Sequence, residues 1–275
     1  MGIAPVVAVL LLVVSSVQAS EIREFDVATL ERLGRELSRR DEIAARASDL
    51  VLKDYPVARS LKMRGWVTEL KNTGGAVHFI AETPSGSTIA YTVNSPLSSK
   101  PEVQDMRGQL LPADVAVRYK ARETATAAVR GRLFDSPYNF EVLDDPDGSG
   151  FLVYGLAATP KSGQVVLAGH FRVTVSPDGT KAERVDALSK SLLLTGSMKS
   201  GSPKGDDTAA LFMMQIVSNK PVETLIYTAN LAKKNIYVGT PDRKMWIVGN
   251  GKMRRDTSNR GENTQGGAAR EAMDR

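Results

Sequence analysis

The side chains able to do chemistry are few. The chain holds two histidines, His78 and His170, and no cysteine. Zero cysteines exclude a disulfide framework, a thiolate zinc site, an iron–sulfur centre and a cysteine nucleophile. Neither histidine belongs to a His-Glu-x-x-His pair or has a nearby third nitrogen ligand, so no catalytic metal centre is expected. Each reads as a half-buried histidine in mid-strand, in Ala76–Ile80 and Gly169–Val173. Gly-x-Ser-x-Gly, Ser-x-x-Lys with Lys-Thr-Gly, and Gly-Lys-Ser/Thr are all absent. That removes the motif-bearing acyl-transfer and phosphate-loop enzymes.

The densest acidic group is Glu141, Asp144, Asp145 and Asp147, close in sequence to Phe134, Tyr138, Phe140, Phe151 and Tyr154. Two carboxylates about 5–10 Å apart suffice for glycoside hydrolysis. Asp145-Pro-Asp147-Gly-Ser149-Gly150 also opens like a calcium loop. However, Val153 and Leu156 stand where the later oxygen ligands belong, so a plain turn is expected and no metal.

Residues 1–19 read as a secretory leader. An apolar run from Ile3 to Val14 precedes Val17 and Ala19 at the −3 and −1 positions of a cleavage site, which predicts export to the periplasm with cleavage after Ala19. No second stretch approaches the roughly 20 apolar residues of a membrane-spanning helix.

The elements that must position these groups follow from periodicity. Val27, Leu30, Leu33, Leu37, Ile43, Ala44, Ala47, Leu50 and Val51 form a helical stripe from Asp26 to Asp54, with Asp26 as N-cap and a division at Gly34 or at Arg39–Asp41. Its apolar face is expected to dock on the sheet that follows. Leu61–Leu70, Ala76–Glu82, Thr88–Asn94 and Asp114–Ala121 read as strands, and Ser95–Pro112, with three prolines, as loop. The second half predicts strands at Tyr138–Leu143, Phe151–Ala158, Gln164–Ser176, Lys181–Leu188, Ala209–Ser218, Val222–Ala232, Asn235–Gly239 and Lys244–Val248. Ala209–Val217 is almost continuously apolar, which predicts a central strand covered on both faces. Trp66 and Trp246 are expected in the core.

The fold class is therefore mainly β within α+β: an N-terminal amphipathic helix, antiparallel strands suggesting a small barrel of the OB kind, and a second antiparallel β-sheet domain. The expected domains are 20–130 and 131–249, with a disordered tail at 250–275. The formal charge of +5 is spread along the chain, and aromatic residues are not interleaved with clustered Lys and Arg. Nucleic acid is thus not an expected partner.

An export leader, a cysteine-free β scaffold and long polar loops point to a non-enzymatic periplasmic binding protein without a cofactor, whose partner is a protein or an envelope component. An inhibitor or immunity protein against an envelope-directed enzyme is one concrete form. The contact loops would be Ser95–Asp105, Asp144–Gly150 and Gly196–Asp207, with Asp144, Asp145, Asp147, Lys199 and Lys204 as candidate binding residues. A carboxylate hydrolase using Glu141 and the Asp144–Asp147 cluster, and a carrier with an apolar cavity lined by Ala209–Val217, are the alternatives. A converging reactive trio of side chains would favour an enzyme.

Overall fold

The computed structural model describes residues 22–54, 61–96, 99–159, 161, 164–195 and 210–258. The protein is mostly β, with 42% strand and 27% helix. Among the described residues no helix is long and apolar enough to cross a membrane.

Helix α1 spans Val27–Asp54 without the expected division, and the Thr29 amide donates to the Asp26 carboxylate at 2.6 Å, as an N-cap requires. At 1.5 Å per residue it runs for about 42 Å, long enough to serve two cores. Leu30, Leu33 and Leu37 pack against the centre of the molecule, whereas Ile43, Ala47 and Val51 pack on the first sheet. The docking expected from the stripe thus holds only for its second half.

The first sheet is a meander of β1 (Met63–Lys71), β2 (Gly74–Thr83), β3 (Gly86–Pro96) and β4 (Glu102–Leu110), paired in that order. It contains the expected first three strands and a bulge at Gly65, but β1 and β4 stand at opposite edges, so the small closed barrel is not found among the described residues. The expected loop Ser95–Pro112 contains β4. This is an edge strand whose exposed, polar side chains carry no alternation to read.

The expected strand Asp114–Ala121 is instead the start of helix α2 (Ala113–Val129). Val115, Val117 and Tyr119 alternate over too short a window. The burial of Val115, Tyr119, Arg122, Ala125 and Val129 follows the helical repeat, and good helix formers fill the rest. Val115 and Tyr119 meet Val67 and Ile80 of the first sheet, while Ala121, Ala125 and Val129 cover the second.

The second sheet is antiparallel, with β5 (Tyr138–Asp144), β6 (Phe151–Ala157), β8 (Phe171–Val175) and β9 (Ala182–Ala187) in that order. The long strand expected over Gln164–Ser176 is broken at Gly169-His170. Its first part, β7 (Val166–Ala168), pairs separately with β10 (Leu193–Leu194).

The third sheet corrects two further expectations. Val222–Ala232 is not a strand: Glu223–Ala232 is helix α3, apolar on nearly every side because it is buried on nearly every side. A run of that kind cannot be told from a buried strand by periodicity alone. Helix α3 connects β11 (Ala210–Met214) to β12 (Asn235–Gly239), which pair in parallel, and β13 (Met245–Gly249) and β14 (Lys252–Arg255) complete the sheet. The tail expected from Asn250 therefore begins with a strand.

The molecule is layered as α2, second sheet, α1 with α3, and third sheet. Helices α1 and α3 touch so closely at Gly34 that a Cβ there would lie 2.6 Å from the Glu223 carbonyl oxygen and the Ile226 Cβ.

Across the inner face of the second sheet runs one buried polar row. Glu141, Tyr154, Arg172 and Asp186 are successive cross-strand partners on β5, β6, β8 and β9. Arg172, 1% exposed, donates to Glu223 of α3 at 2.7 Å and to Asp186 at 2.8 Å, and also to the Arg23 carbonyl oxygen. The Tyr154 hydroxyl donates to the same Glu223 oxygen at 2.7 Å. Removing one partner of such a pair leaves a buried charge uncompensated, which costs about 3–5 kcal/mol. Glu223→Ala is expected to lose about that much in urea unfolding, and a loss below about 1 kcal/mol would show that the pair does not hold α3.

Candidate functional site

The expected acidic loop is occupied from within. Arg23 donates to Asp145 at 2.6 and 2.8 Å and to Asp147 at 3.2 Å, and Arg118 donates to Asp144 at 2.6 Å. Burial works against ionisation of Asp145, but the Arg23 guanidinium and the Asp147 amide outweigh it and hold the carboxyl below its usual range. A guanidinium thus sits where a calcium reading would put the ion. Among the described residues no group of three His, Asp or Glu is placed to hold a metal. Lys199 and Lys204 lie outside the described residues.

Glu141 is sealed in rather than offered to a substrate. It accepts from the Trp66 indole N–H at 2.8 Å beneath α1, and the guanidinium of Arg122 stacks over Trp66. Burial pushes its carboxyl up to about 7, against the Trp66 bond and the nearby Arg40. Asp41, on the adjoining turn of α1, is also raised by burial, despite a bond from the Tyr227 hydroxyl. The folded protein therefore retains a proton on Glu141 that the unfolded chain has released.

Neither histidine is a free base. His170 lies in the break between β7 and β8, not in mid-strand. Its Nδ1 accepts from the Ala157 amide at 3.0 Å, and burial lowers its pKa to about 4. His78 is in mid-strand as expected, and it does belong to a hydroxyl–imidazole–carboxylate row. Its Nδ1 lies 3.0 Å from Thr92 Oγ1 and its Nε2 lies 3.2 Å from Glu69 Oε2. The row joins three neighbouring strands beside the first turn of α2, where a side-chain hydrogen bond shared with Glu69 is the main cause holding Asp114 below its usual range. Thr92 is buried, and its strand pairs on both sides. An attacking hydroxyl needs exposure and nearby oxyanion donors, and this position supplies neither. The row ties the polar face of the sheet to α2.

The most distinctive exposed feature is the outer face of the third sheet. Ala209–Val217 was expected to be central. Instead β11 is an edge strand: Met213 points into the core, while Phe212, Met214 and Ile216 are 59%, 57% and 56% exposed. Phe212 stands in register with Tyr237 and Ile247, and Met214 with Gly239 and Met245. Because Gly239 has no side chain, a trough of about 370 Å³ opens between the two methionines, and Met214 leans over it. Arg243, Lys244, Arg255, Asp256 and Thr257 complete its lining. Trp246 faces the core as expected, with Arg255 stacked 5.4 Å from its ring centroid.

Reading β11 as central missed this face. The signal was missing because α3, which makes β11–α3–β12 a crossover with its helix on one side only, has no side-chain N-cap and no apolar periodicity to read. Comparison with protein-family models, with curated proteins and with solved structures finds no match.

The proton on Glu141 makes stability depend on pH. The contribution of Glu141 to stability falls by about 3 kcal/mol as pH rises from about 4.5 to about 7, then levels off. His170 acts oppositely, losing stability as pH falls below about 6.5, so the difference between wild type and Glu141→Gln isolates the carboxyl. Urea unfolding should show wild type losing about 3 kcal/mol relative to the variant across that window. Parallel curves would refute the assignment.

Proposed function

We propose that this chain is an exported, non-enzymatic protein-binding module that engages its partner through the outer face of the third sheet. The observation that carries the reading is the column Phe212, Met214 and Ile216, each more than half exposed, the first two on the edge strand β11 and the third just beyond its end. Contiguous exposed apolar side chains rimmed by polar groups are the usual mark of an interaction site. A stable complex needs about 800 Å² from each partner, and Tyr237, Met245 and Ile247 extend the column in that direction.

The export part rests on the leader-like residues 1–19. An inhibitor or immunity protein of an envelope-directed enzyme remains the concrete form that such a module suggests, since a rigid sheet offering one face is all that role requires. The carboxylate-hydrolase alternative is weakened by the internal use of Glu141, Asp144, Asp145 and Asp147. The carrier alternative is weakened by the burial of Met213 in packed core.

The test is Phe212→Asp combined with Met214→Asp in the full chain. Exposed substitutions of this kind change stability by no more than about 0.5 kcal/mol each, so the fold should survive, as circular dichroism and Tm can verify. Immobilised wild type should retain a saturable partner from periplasmic extract of the native host, and the double variant should retain at least tenfold less. Equal retention, or no partner for wild type, would defeat the proposal.

A further inference from the structure

We propose that the segment bound at this face is an extended acidic stretch of a partner protein. It adds a strand to the open edge of β11 and places its carboxylates in the basic trough at the end of the sheet. This rests on the protein-binding reading above and specifies its chemistry.

The first support is backbone geometry. The Gln215 amide donates to the Gly239 carbonyl oxygen at 2.8 Å, continuing the parallel pairing of β11 with β12. In a parallel strand the N–H and C=O of one residue point to the same side, and successive residues alternate. Leu211, Met213 and Gln215 therefore serve β12, and Phe212 and Met214 turn their N–H and C=O groups to the other edge. Among the described residues no strand pairs with that edge.

Edge strands are ordinarily guarded by a charge, a proline or a bulge. Thr208 to Ser218 contains no Asp, Glu, Lys, Arg or Pro, and the β11 pairing is regular. An unguarded edge of free donors and acceptors beside alternating apolar side chains is what strand addition uses: main-chain bonds give affinity and alternate side chains give selectivity.

The second support is charge. Three cations and one carboxylate line the trough that begins at Met214. Lys244 pairs with Asp242 at 2.6 Å, and Asp256 is engaged by Ser258 at 2.7 Å. Arg243, held in a left-handed turn conformation (φ 60°), makes no ion pair among the described residues. A segment running past Met214 meets this rim directly, and carboxylates complement it, with Arg offering a bidentate fork.

Other occupants fit less well. A lipid surface would leave the open backbone groups of Phe212 and Met214 without partners, which hydrocarbon does not tolerate. A second copy of this chain joined edge to edge would bring an uncharged edge and another trough in which three cations outnumber one carboxylate.

The probe is a random dodecapeptide phage library panned on the immobilised full chain, followed by fluorescence anisotropy of the enriched peptides as synthetic labelled molecules. Enriched peptides should pair a β-branched, alternating stretch with two or more acids at one end. Arg243→Glu with Lys244→Glu should weaken them at least tenfold, and N-methylation of alternate peptide amides should abolish binding. If Phe212→Asp with Met214→Asp abolishes binding while the charge reversal leaves it unchanged, the face binds protein but the acidic-partner proposal falls. Insensitivity to both pairs of substitutions would overturn the broader reading as well. Sedimentation with phosphatidylglycerol vesicles, or a dimer in analytical ultracentrifugation that Met214→Asp dissolves, would overturn strand addition in favour of a membrane or a second copy.

Discussion

The arrangement depends first on Arg172, a guanidinium with almost no contact with water. Burying it is costly, and the cost is offset only because each side of the group is matched: Glu223 from α3, Asp186 from β9 and the Arg23 carbonyl from the N-terminal strap. The ring of Phe25 lies 4.8 Å from both the Arg172 and Arg23 guanidinium carbons, so the strap closes over the pair. Three parts of the chain that are far apart in sequence therefore have one geometry in which no charge is stranded. Apolar packing supplies the larger share of stability through Leu33, Leu37, Leu152, Leu156, Ile226 and Val238. The polar row decides how α3 sits on the second sheet, and α3 in turn carries the third.

Seating α3 in this way has a consequence for the third sheet. A parallel pair of strands is normally covered on both faces, and here the crossover helix covers one. Met213, Ile236, Val238, Trp246 and Val248 are spent on that covered side. The opposite side keeps Phe212, Met214 and Ile216 in water, beside a glycine that leaves a trough and a turn that brings Arg243 to its rim. Exposure at this place is a product of topology, and the same residues within a fully covered sheet would be ordinary core.

What the sequence could and could not disclose follows from the range of each interaction. Helix α1 was legible because its stripe repeats over 28 residues and Asp26 caps it locally. The hairpins were legible because Asn72–Gly75, Pro84–Gly86 and Thr240–Arg243 are turn chemistry that needs no distant partner. Helix α2 was misread where three residues happened to alternate, and α3 where burial on all sides erased its periodicity. Strand β4 was hidden by polar side chains and flanking prolines. The acids of the 144–150 turn were noticed, but their use by Arg23 and Arg118 arises from partners as far as 124 residues away. The Glu141–Tyr154–Arg172–Asp186 row is set by register across four strands, and nothing local in the sequence encodes it. The exposed face of the third sheet was obscured for a related reason: an apolar segment has the same sequence at the edge of a sheet as at its centre.

Residue-resolved hydrogen exchange across β11 measures the central claim directly, in the full chain and without any partner. If the outer edge is open, the amides of Leu211, Met213 and Gln215 are strongly protected, while those of Phe212 and Met214 exchange at close to their intrinsic rates. Equal, strong protection along all five would mean that the edge is already covered, and the account of an open binding edge would be wrong.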